Sequence, residues 1–129
     1  MLIKISPLQQ LEPIRGYVAL SMFEEALDEL SILPEEVTSS KHALVLLFDI
    51  RLALILLFDI RLALKDWTAA RELAQGMTVK SPECPHWWCR WAWALRFETS
   101  VAASRAVLAE GVLLHPGNAG IQYNLACYA

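Results

Sequence analysis

The chain has 129 residues, a net charge of −3 at pH 7, and a composition that is 56% hydrophobic and 19% charged. This length allows one compact domain or a short array of repeats, and the mild negative charge argues against a surface that binds nucleic acid. Three cysteines, an odd number, do not make a disulfide framework and fit a reducing compartment. The first residues lack a long apolar run and a small-residue cleavage site, so we expect no secretion signal and a cytoplasmic protein.

Helical signals follow one another along the chain, and no segment alternates between apolar and polar residues long enough to predict a strand. Ser6 and Pro7 are typical of a helix start, and Pro34, Pro82 and Pro116 mark breaks between helices. The sequence therefore predicts an all-α protein. The predicted helices cover Leu8 to about Ser21, Phe23 to about Leu33, Lys41 to Leu64, Trp67 to Thr78, His86 to Arg96, Val101 to Leu114, and Ile121 onward.

The segment 43–64 is the most apolar and the most repetitive part of the chain. Residues 43–52 and 53–62 form two copies of one ten-residue sequence, which differ only in that Val45 corresponds to Ile55. Such near identity indicates a tandem duplication.

The duplicated segment is predicted to be one continuous helix over about residues 41–64, because neither glycine nor proline occurs between Lys41 and Asp66. A membrane span is the competing interpretation, since about 20 apolar residues cross a bilayer. Four charged side chains interrupt this run, and each costs about 2.5–3.5 kcal/mol near the bilayer centre. We therefore expect no membrane insertion. The four charged residues are Asp49, Arg51, Asp59 and Arg61.

Corresponding residues of the two copies face different sides of the helix. Ten residues turn a helix by about 1000°, which is about 80° short of three full turns. Charged and apolar residues therefore occur on every side of the long helix, and a small domain does not easily cover so much apolar surface. We expect a second chain to cover it, in a homodimer that is either domain-swapped or face to face. The residues expected to mediate self-association are Leu46, Leu47, Phe48, Ile50, Leu54, Ile55, Leu56, Leu57 and Phe58.

The spacing of helices and prolines resembles that of tetratricopeptide repeat (TPR) proteins, whose helical hairpins recur with a period of about 34 residues. Pro82 and Pro116 are one such period apart. Pro34 and Pro82 are further apart, but leaving out one ten-residue copy brings their spacing close to the period. Residue types also match the family's packing positions. The matching residues are Tyr17, the run Phe23-Glu24-Glu25-Ala26-Leu27, Trp67, Ala70, Trp88, Trp91, Ala92, Leu95, Ser104, Leu108, Gly111, and the segment Tyr123-Asn124-Leu125-Ala126.

The resemblance implies a TPR-like solenoid of about three and a half repeats, with ten residues inserted into the first helix of the second repeat. The implied repeats are residues 7–34, residues 39–82 with the copies 43–52 and 53–62, residues 85–116, and a half repeat at 119–129.

The resemblance also implies a binding role, because the first helices of such arrays line a groove that holds extended peptides. Some members clamp a terminal carboxylate there, but the companion lysines of that clamp are missing from this chain. Alignment of the chain with the positions of the TPR repeat places these residues in the groove: His86, Arg90, Trp93, Arg96, Phe97, Tyr123 and Asn124. Trp87 and Trp93 do not fit the family's packing positions, so either of them can line the groove.

No catalytic motif occurs in the sequence, and we expect neither an enzyme nor a cofactor. Cys84, His86 and Cys89, with Cys127, are conceivable metal ligands, but their spacing is not that of a recognised zinc site. The expected function is a protein-interaction scaffold whose partners are a protein or peptide and a second copy of the chain. The alternative is an engineered or model protein that probes a helical duplication and has no activity of its own.

Overall fold

The computed structural model describes residues Ser6 to Tyr128, and every regular element within that range is a helix. This confirms the all-α prediction, although one short helix was not predicted. The helices are α1 (Pro7–Ala19), α2 (Phe23–Ser31), α3 (Glu35–Thr38), α4 (Lys41–Ala63), α5 (Trp67–Lys80), α6 (His86–Glu98), α7 (Val101–Leu114) and α8 (Ala119–Cys127). The chain forms two compact units, one ending at Leu57 and the other beginning at Phe58.

In the first unit, α1 packs against α2 and α3. Apolar residues three or four apart on α1 and α2 are buried, as expected of amphipathic helices. The buried residues of these three helices are Leu11, Ile14, Ala26, Leu27, Leu30 and Val37. Helix α3 was not predicted, because a four-residue helix is too short to show a periodic pattern.

The long helix α4 is continuous through both ten-residue copies. It ends at Ala63, and Lys65 in the turn that follows has a φ of 61°, which lies in the left-handed region. One stripe of residues, spaced by three or four positions, is buried along its length. That stripe consists of Ala43, Leu46, Ile50, Leu54 and Phe58.

Four residues that were predicted to mediate self-association belong to this buried stripe: Leu46, Ile50, Leu54 and Phe58. Packing within the chain covers them, so they are not part of an exposed surface. The prediction treated every large apolar residue of the duplication as available, because the sequence does not show which side of a helix faces its neighbours.

The same sequence is buried differently in the two copies. Phe48 is 66% exposed, whereas Phe58, at the same position of the second copy, is 2% exposed. Leu44 and Leu54 differ in the same way, at 53% and 0%. This follows from the rotation of about −80° between copies, since the buried stripe runs straight while the repeated sequence turns around the helix.

In the second unit, α6 packs against α5, α7 and α8, and α7 packs against α8. The centre of this packing is a cluster of large side chains from α6 and α7 together with two residues from the end of the chain. Its buried members are Trp88, Ala92, Val107, Leu108, Ile121 and Tyr128.

The turns after α1 and α4 have the same hydrogen-bonding pattern. The backbone N–H of Met22 donates to Tyr17 and that of Asp66 donates to Arg61, in each case to a carbonyl five residues earlier. The residue before each donor has a left-handed φ, 59° at Ser21 and 61° at Lys65. Ser21 and Lys65 are further apart than Pro82 and Pro116 by ten residues, which is the length of one copy.

The second unit repeats its helix boundaries at the Pro82-to-Pro116 spacing. Helices α5 and α7 both have 14 residues, and their first residues, Trp67 and Val101, are separated by that same spacing. Their C-cap residues, Ser81 and His115, have nearly the same backbone angles, φ −131° and ψ 65° against φ −132° and ψ 64°. Side chains cap both helices, since Asp66 accepts from the N–H of Ala69 and Ser100 accepts from that of Ala103.

Candidate functional site

Two adjoining cavities of the second unit lie along α6. The first, of about 350 Å³, is bounded by the end of α4, by α6 and by α8. The second, of about 340 Å³, is bounded by α6, the start of α7 and the end of the chain. Trp93 and Asn124 line both cavities, so we refer to the pair of cavities as the α6–α8 groove.

Six of the seven residues predicted for a groove line these cavities. The first cavity is lined by Phe58, Asp59, Leu62, His86, Cys89, Arg90, Trp93 and Asn124. The second cavity is lined by Trp93, Arg96, Val101, Tyr123, Asn124, Cys127 and Tyr128. The seventh predicted residue, Phe97, lines neither cavity. Its ring instead stacks on Trp67, with centroids 4.6 Å apart, and meets Trp93 nearly edge-on at 5.7 Å.

Helical periodicity explains why α6 supplies the groove. His86, Arg90 and Trp93 follow each other at intervals of four and three residues, which places them on one face of the helix. Trp88 and Ala92 occupy another face and are buried in the packing of the second unit. The helix therefore packs through one face and presents polar and aromatic side chains through the other.

Trp87 is not a groove residue, although the sequence left it open whether Trp87 or Trp93 lines the groove. Only 2% of Trp87 is exposed. The ring of Phe58 meets it edge-on, with centroids 6.3 Å apart and planes at 89°. This contact is a favoured geometry of two aromatic rings, and it joins the end of α4 to α6 within the second unit.

Arg90 is a half-buried cation held between an aromatic face and a carboxylate. Its guanidinium carbon lies 5.1 Å from the centroid of Trp87, within the range of a cation–π interaction. Burial lowers the pKa of Arg90, and the negative charge of Asp59 opposes that shift. Since an arginine begins from so high a pKa, it stays charged near neutral pH.

Arg96 lies among three aromatic rings at the other end of the groove. Its guanidinium carbon is 5.8 Å from the centroid of Trp93, and 5.6 Å from those of Phe97 and Tyr128. The rings fix the position of the guanidinium without neutralising its charge. The groove therefore carries two oriented cations, Arg90 and Arg96, that can meet anionic or carbonyl oxygen atoms.

Asn124 lies where the two cavities meet. Its side-chain nitrogen donates to the carbonyl of Gly120 at 2.8 Å and to the sulfur of Cys89 at 3.6 Å. Both hydrogen bonds use the amide nitrogen, so the side-chain oxygen is the atom that can accept a hydrogen bond from a ligand.

Cys89 is a poor nucleophile in this setting. Burial raises the pKa of its thiol, while Arg90 and the hydrogen bond from Asn124 act in the opposite direction. The thiolate is the reactive form of cysteine, so a raised pKa leaves the side chain mainly protonated at neutral pH. The arrangement suits contact with a ligand better than covalent chemistry.

Sequence reasoning missed one wall of the groove. Asp59 and Leu62 come from the second copy of the duplicated sequence, which was treated as a self-association element and not as part of a binding site. Tyr128 and Val101 were also missed. The resemblance to TPR proteins predicted groove residues on α6 and α8 only, and no signal in the sequence places residues of other helices beside them.

Among residues 6–128, no group of three or more histidine, cysteine or acidic side chains is close enough to hold a metal ion. None of the helices in that range is both long and apolar enough to cross a membrane. A further cavity of about 450 Å³ lies in the first unit, lined by Arg15, Lys41, His42, Val45, Leu46 and Asp49. It has no aromatic side chain beyond His42, and we regard the α6–α8 groove as the better candidate.

Comparison of the chain with protein-family models, with curated proteins and with solved structures found no match.

Proposed function

We propose that the chain is a non-catalytic scaffold of the TPR type that binds an extended peptide segment in the α6–α8 groove and self-associates through α4. The observation that carries the binding role is the pair of adjoining cavities that share Trp93 and Asn124. Concave sites lined by aromatic side chains with a few convergent polar groups are typical ligand sites.

The recurring helix boundaries support the TPR assignment. Helices α5 and α7 begin one TPR period apart, and the turns at Ser21 and Lys65 are separated by that period plus ten residues. An array with one ten-residue insertion produces both spacings. We assign the repeats to residues 7–34, 39–82 and 85–116, with a half repeat at 119–129.

The dimensions of the groove fit a short extended peptide. Arg90 and Arg96 are six residues apart on α6, which corresponds to about 9 Å along a helix. Three residues of an extended chain cover about 10 Å. A peptide can therefore contact both cations through groups about three residues apart, while Trp93 between them provides an aromatic surface.

The binding role is tested with a phage-displayed library of random twelve-residue peptides selected on the full chain. We expect selected peptides to lose at least about tenfold in affinity for Trp93→Ala, because Trp93 contributes to both cavities. Leu113→Ala is the matched control, since this large residue is exposed on α7 and lines neither cavity. Equal binding to Trp93→Ala and the unaltered chain, or no enrichment of peptides, would contradict the proposal.

Exposed apolar residues on α4 support self-association. Val45, Phe48, Leu52 and Leu56 are all exposed, and their spacing by three or four residues places them on one side of the helix. A contiguous apolar stripe of this kind is unusual on a monomer and typical of a contact surface. Of the residues first assigned to self-association, Phe48 and Leu56 lie on this stripe, and Leu47, Ile55 and Leu57 are half-buried.

Self-association is tested by the solution mass from light scattering, on the full chain and on a variant that lacks residues 53–62. We expect a dimer for the full chain and a monomer for the deletion, because the deletion removes the surplus helix surface. A monodisperse monomer of the full chain at high concentration would contradict this part of the proposal.

A further inference from the structure

We propose that the surface of α5 and α6 that holds the second copy of the duplicated sequence also accepts the first copy of another chain, so that two chains associate by exchanging copies. This inference rests on the proposed self-association and names the site through which it occurs. The occupant is the segment 48–51 of another molecule of this protein, which corresponds to residues 58–61.

The site is defined by the contacts that the second copy makes in the second unit. The ring of Phe58 is buried and meets Trp87 edge-on. A guanidinium nitrogen of Arg61 donates to the backbone carbonyl of Ala69 on α5, at 3.0 Å. The carboxylate of Asp59 lines the same cavity as Arg90, and its negative charge acts to raise the pKa of that arginine.

The first copy carries the same residue at each of these positions. Phe48 corresponds to Phe58, Asp49 corresponds to Asp59, and Arg51 corresponds to Arg61. The one difference between the copies, Val45 against Ile55, is a single methylene group. A site that binds the second copy through these side chains can therefore bind the first copy through the same side chains.

Two residues that occupy the site have exposed counterparts in the first copy. Phe58 is fully buried in the second unit, whereas Phe48 and Asp49 are exposed. The first copy instead buries the residues at its first, fourth and eighth positions, which lie on a different face. The first copy of one chain can therefore offer Phe48 and Asp49 to the site of another chain.

The continuity of α4 favours exchange between chains over a shift within one chain. To bring the first copy onto its own α5 and α6, the chain would have to break the helix and loop out residues 53–62. No glycine or proline lies between Lys41 and Asp66 to allow such a break, and ten mostly apolar residues would lose their helical hydrogen bonds. A reciprocal exchange keeps both α4 helices whole, fills both sites, and lets the two displaced second copies cover each other about the two-fold axis.

The exchange is tested by disulfide trapping, with Cys89 as the reporter, because Cys89 and Asp59 line the same cavity. The full chain is prepared with Cys84→Ser and Cys127→Ser, and then with either Asp49→Cys or Asp59→Cys. Air with copper–phenanthroline is the oxidant that accepts the two electrons of each disulfide. Products are separated without reductant, and the linked peptides are identified by mass spectrometry.

We expect Asp59→Cys to trap the unexchanged chain through a disulfide with Cys89 within a monomer, because both positions line one cavity. We expect Asp49→Cys to give a dimer in which residue 49 of one chain is linked to Cys89 of the other. Adding Phe48→Ala is expected to lower the yield of this dimer at least roughly tenfold, since the phenylalanine ring anchors the copy in the site. Adding Cys89→Ser removes the specific link and is the control for random coupling.

Two outcomes would overturn the proposal. A link between residue 49 and Cys89 within a monomer would mean that the helix shifts inside one chain. Trapping by Asp59→Cys but not by Asp49→Cys would mean that the site does not accept the first copy. Light scattering separates this failure from that of the proposed function, because a dimer without the 49–89 link associates through another surface, and a monomer does not associate.

Discussion

The side chain of Ser104 on α7 donates a hydrogen bond of 2.6 Å to the backbone carbonyl of Ala92 on α6. Both residues are fully buried, so the two helix backbones approach closely at this point. A small residue is required there, and the hydroxyl adds a polar contact to a crossing otherwise made by apolar side chains.

Substitutions at Ser104 should separate the hydrogen bond from the size requirement. Ser104→Ala removes the bond and is expected to lower the free energy of unfolding by about 0.5–1.5 kcal/mol. Ser104→Val also replaces the hydroxyl with two methyl groups in a filled crossing, and we expect a loss of about 1–3 kcal/mol from the crowding alone. Urea denaturation followed by circular dichroism measures both.

Ser31→Ala is the matched control for Ser104. The Ser31 hydroxyl also donates to a backbone carbonyl, that of Asp28, at 2.7 Å, but Ser31 is exposed. Water replaces the lost partner, so the change should lie within about 0.5 kcal/mol. If Ser104→Val were no more destabilising than Ser31→Ala, the crossing would not be close packed.

Two glycines within helices are expected to respond in opposite ways to alanine. A Cβ atom at Gly111 would lie 3.1 Å from an atom of the Trp88 ring, whereas a Cβ at Gly76 would meet nothing within 4 Å. Gly76→Ala should stabilise the protein by about 0.5–1 kcal/mol through helix propensity. Gly111→Ala should destabilise it by about 1–3 kcal/mol, since Trp88 is buried and has little room to move.

Thermal unfolding of both glycine variants, under the same buffer and heating rate, gives the comparison. A rise in Tm for Gly76→Ala and a fall for Gly111→Ala are expected. A rise for both would show that Trp88 shifts at little cost, and the described packing of α6 on α7 would be looser than the distances indicate.

Local signals in the sequence were enough to predict most helices and their ends. The boundaries of α7 were predicted as Val101 to Leu114, and they agree with the structure, since Pro116 marks the break that follows the helix. Likewise, the absence of glycine and proline around the duplication predicted the continuous helix α4. Helix ends and helix continuity depend on residues that are adjacent in the sequence, so the sequence alone is enough to predict them.

The side of α4 that is buried could not be predicted, and this is why four of the residues assigned to self-association are covered within the chain. Both copies offer apolar residues in every direction, so the choice of Ile50 and Phe58 for burial, and of Phe48 and Leu56 for exposure, depends on the neighbouring helices. For the same reason the sequence did not distinguish Trp87 from Trp93.

The candidate groove was predicted only in part, again because the sequence does not show which helices lie next to each other. The residues of α6 and α8 were found because both helices have a definite phase in the resemblance. Asp59 and Leu62 line the groove from the end of α4, and no signal in the sequence shows that this end of α4 lies beside α6 and α8.

Phe48 and Phe58 provide a test of burial with an internal control, because they occupy the same position of the two copies. Phe58→Ala should lower the free energy of unfolding by about 3–5 kcal/mol, since it removes a buried ring that contacts Trp87. Phe48→Ala removes an exposed ring and should change it by no more than about 0.5 kcal/mol in the monomer.

Urea denaturation at low protein concentration, where association is weak, measures this difference. Comparable losses for Phe48→Ala and Phe58→Ala would mean that both copies are packed within one chain. The described burial of α4 would then be wrong, and the exchange of copies would lose its structural basis.

The pKa of Cys89 gives a test of the groove that depends on pH. Burial raises this pKa, and the hydrogen bond from Asn124 opposes the rise by stabilising the thiolate. Alkylation by iodoacetamide requires the thiolate, so the midpoint of its pH dependence should lie above about 8.5, the usual value for cysteine. Asn124→Ala removes a contact that favours the thiolate, and it should move the midpoint further upward.

The raised pKa of Cys89 also makes the free energy of unfolding depend on pH. Because the folded chain holds the Cys89 proton more tightly than the unfolded chain, this contribution to stability is complete below the unfolded pKa. It is lost as the pH rises through the folded pKa. The unfolding free energy of the Cys84→Ser, Cys127→Ser variant should therefore fall above about pH 8.5, and adding Cys89→Ser should reduce the fall. A midpoint for alkylation below the usual cysteine value would contradict the half-buried position of Cys89 beside Asn124.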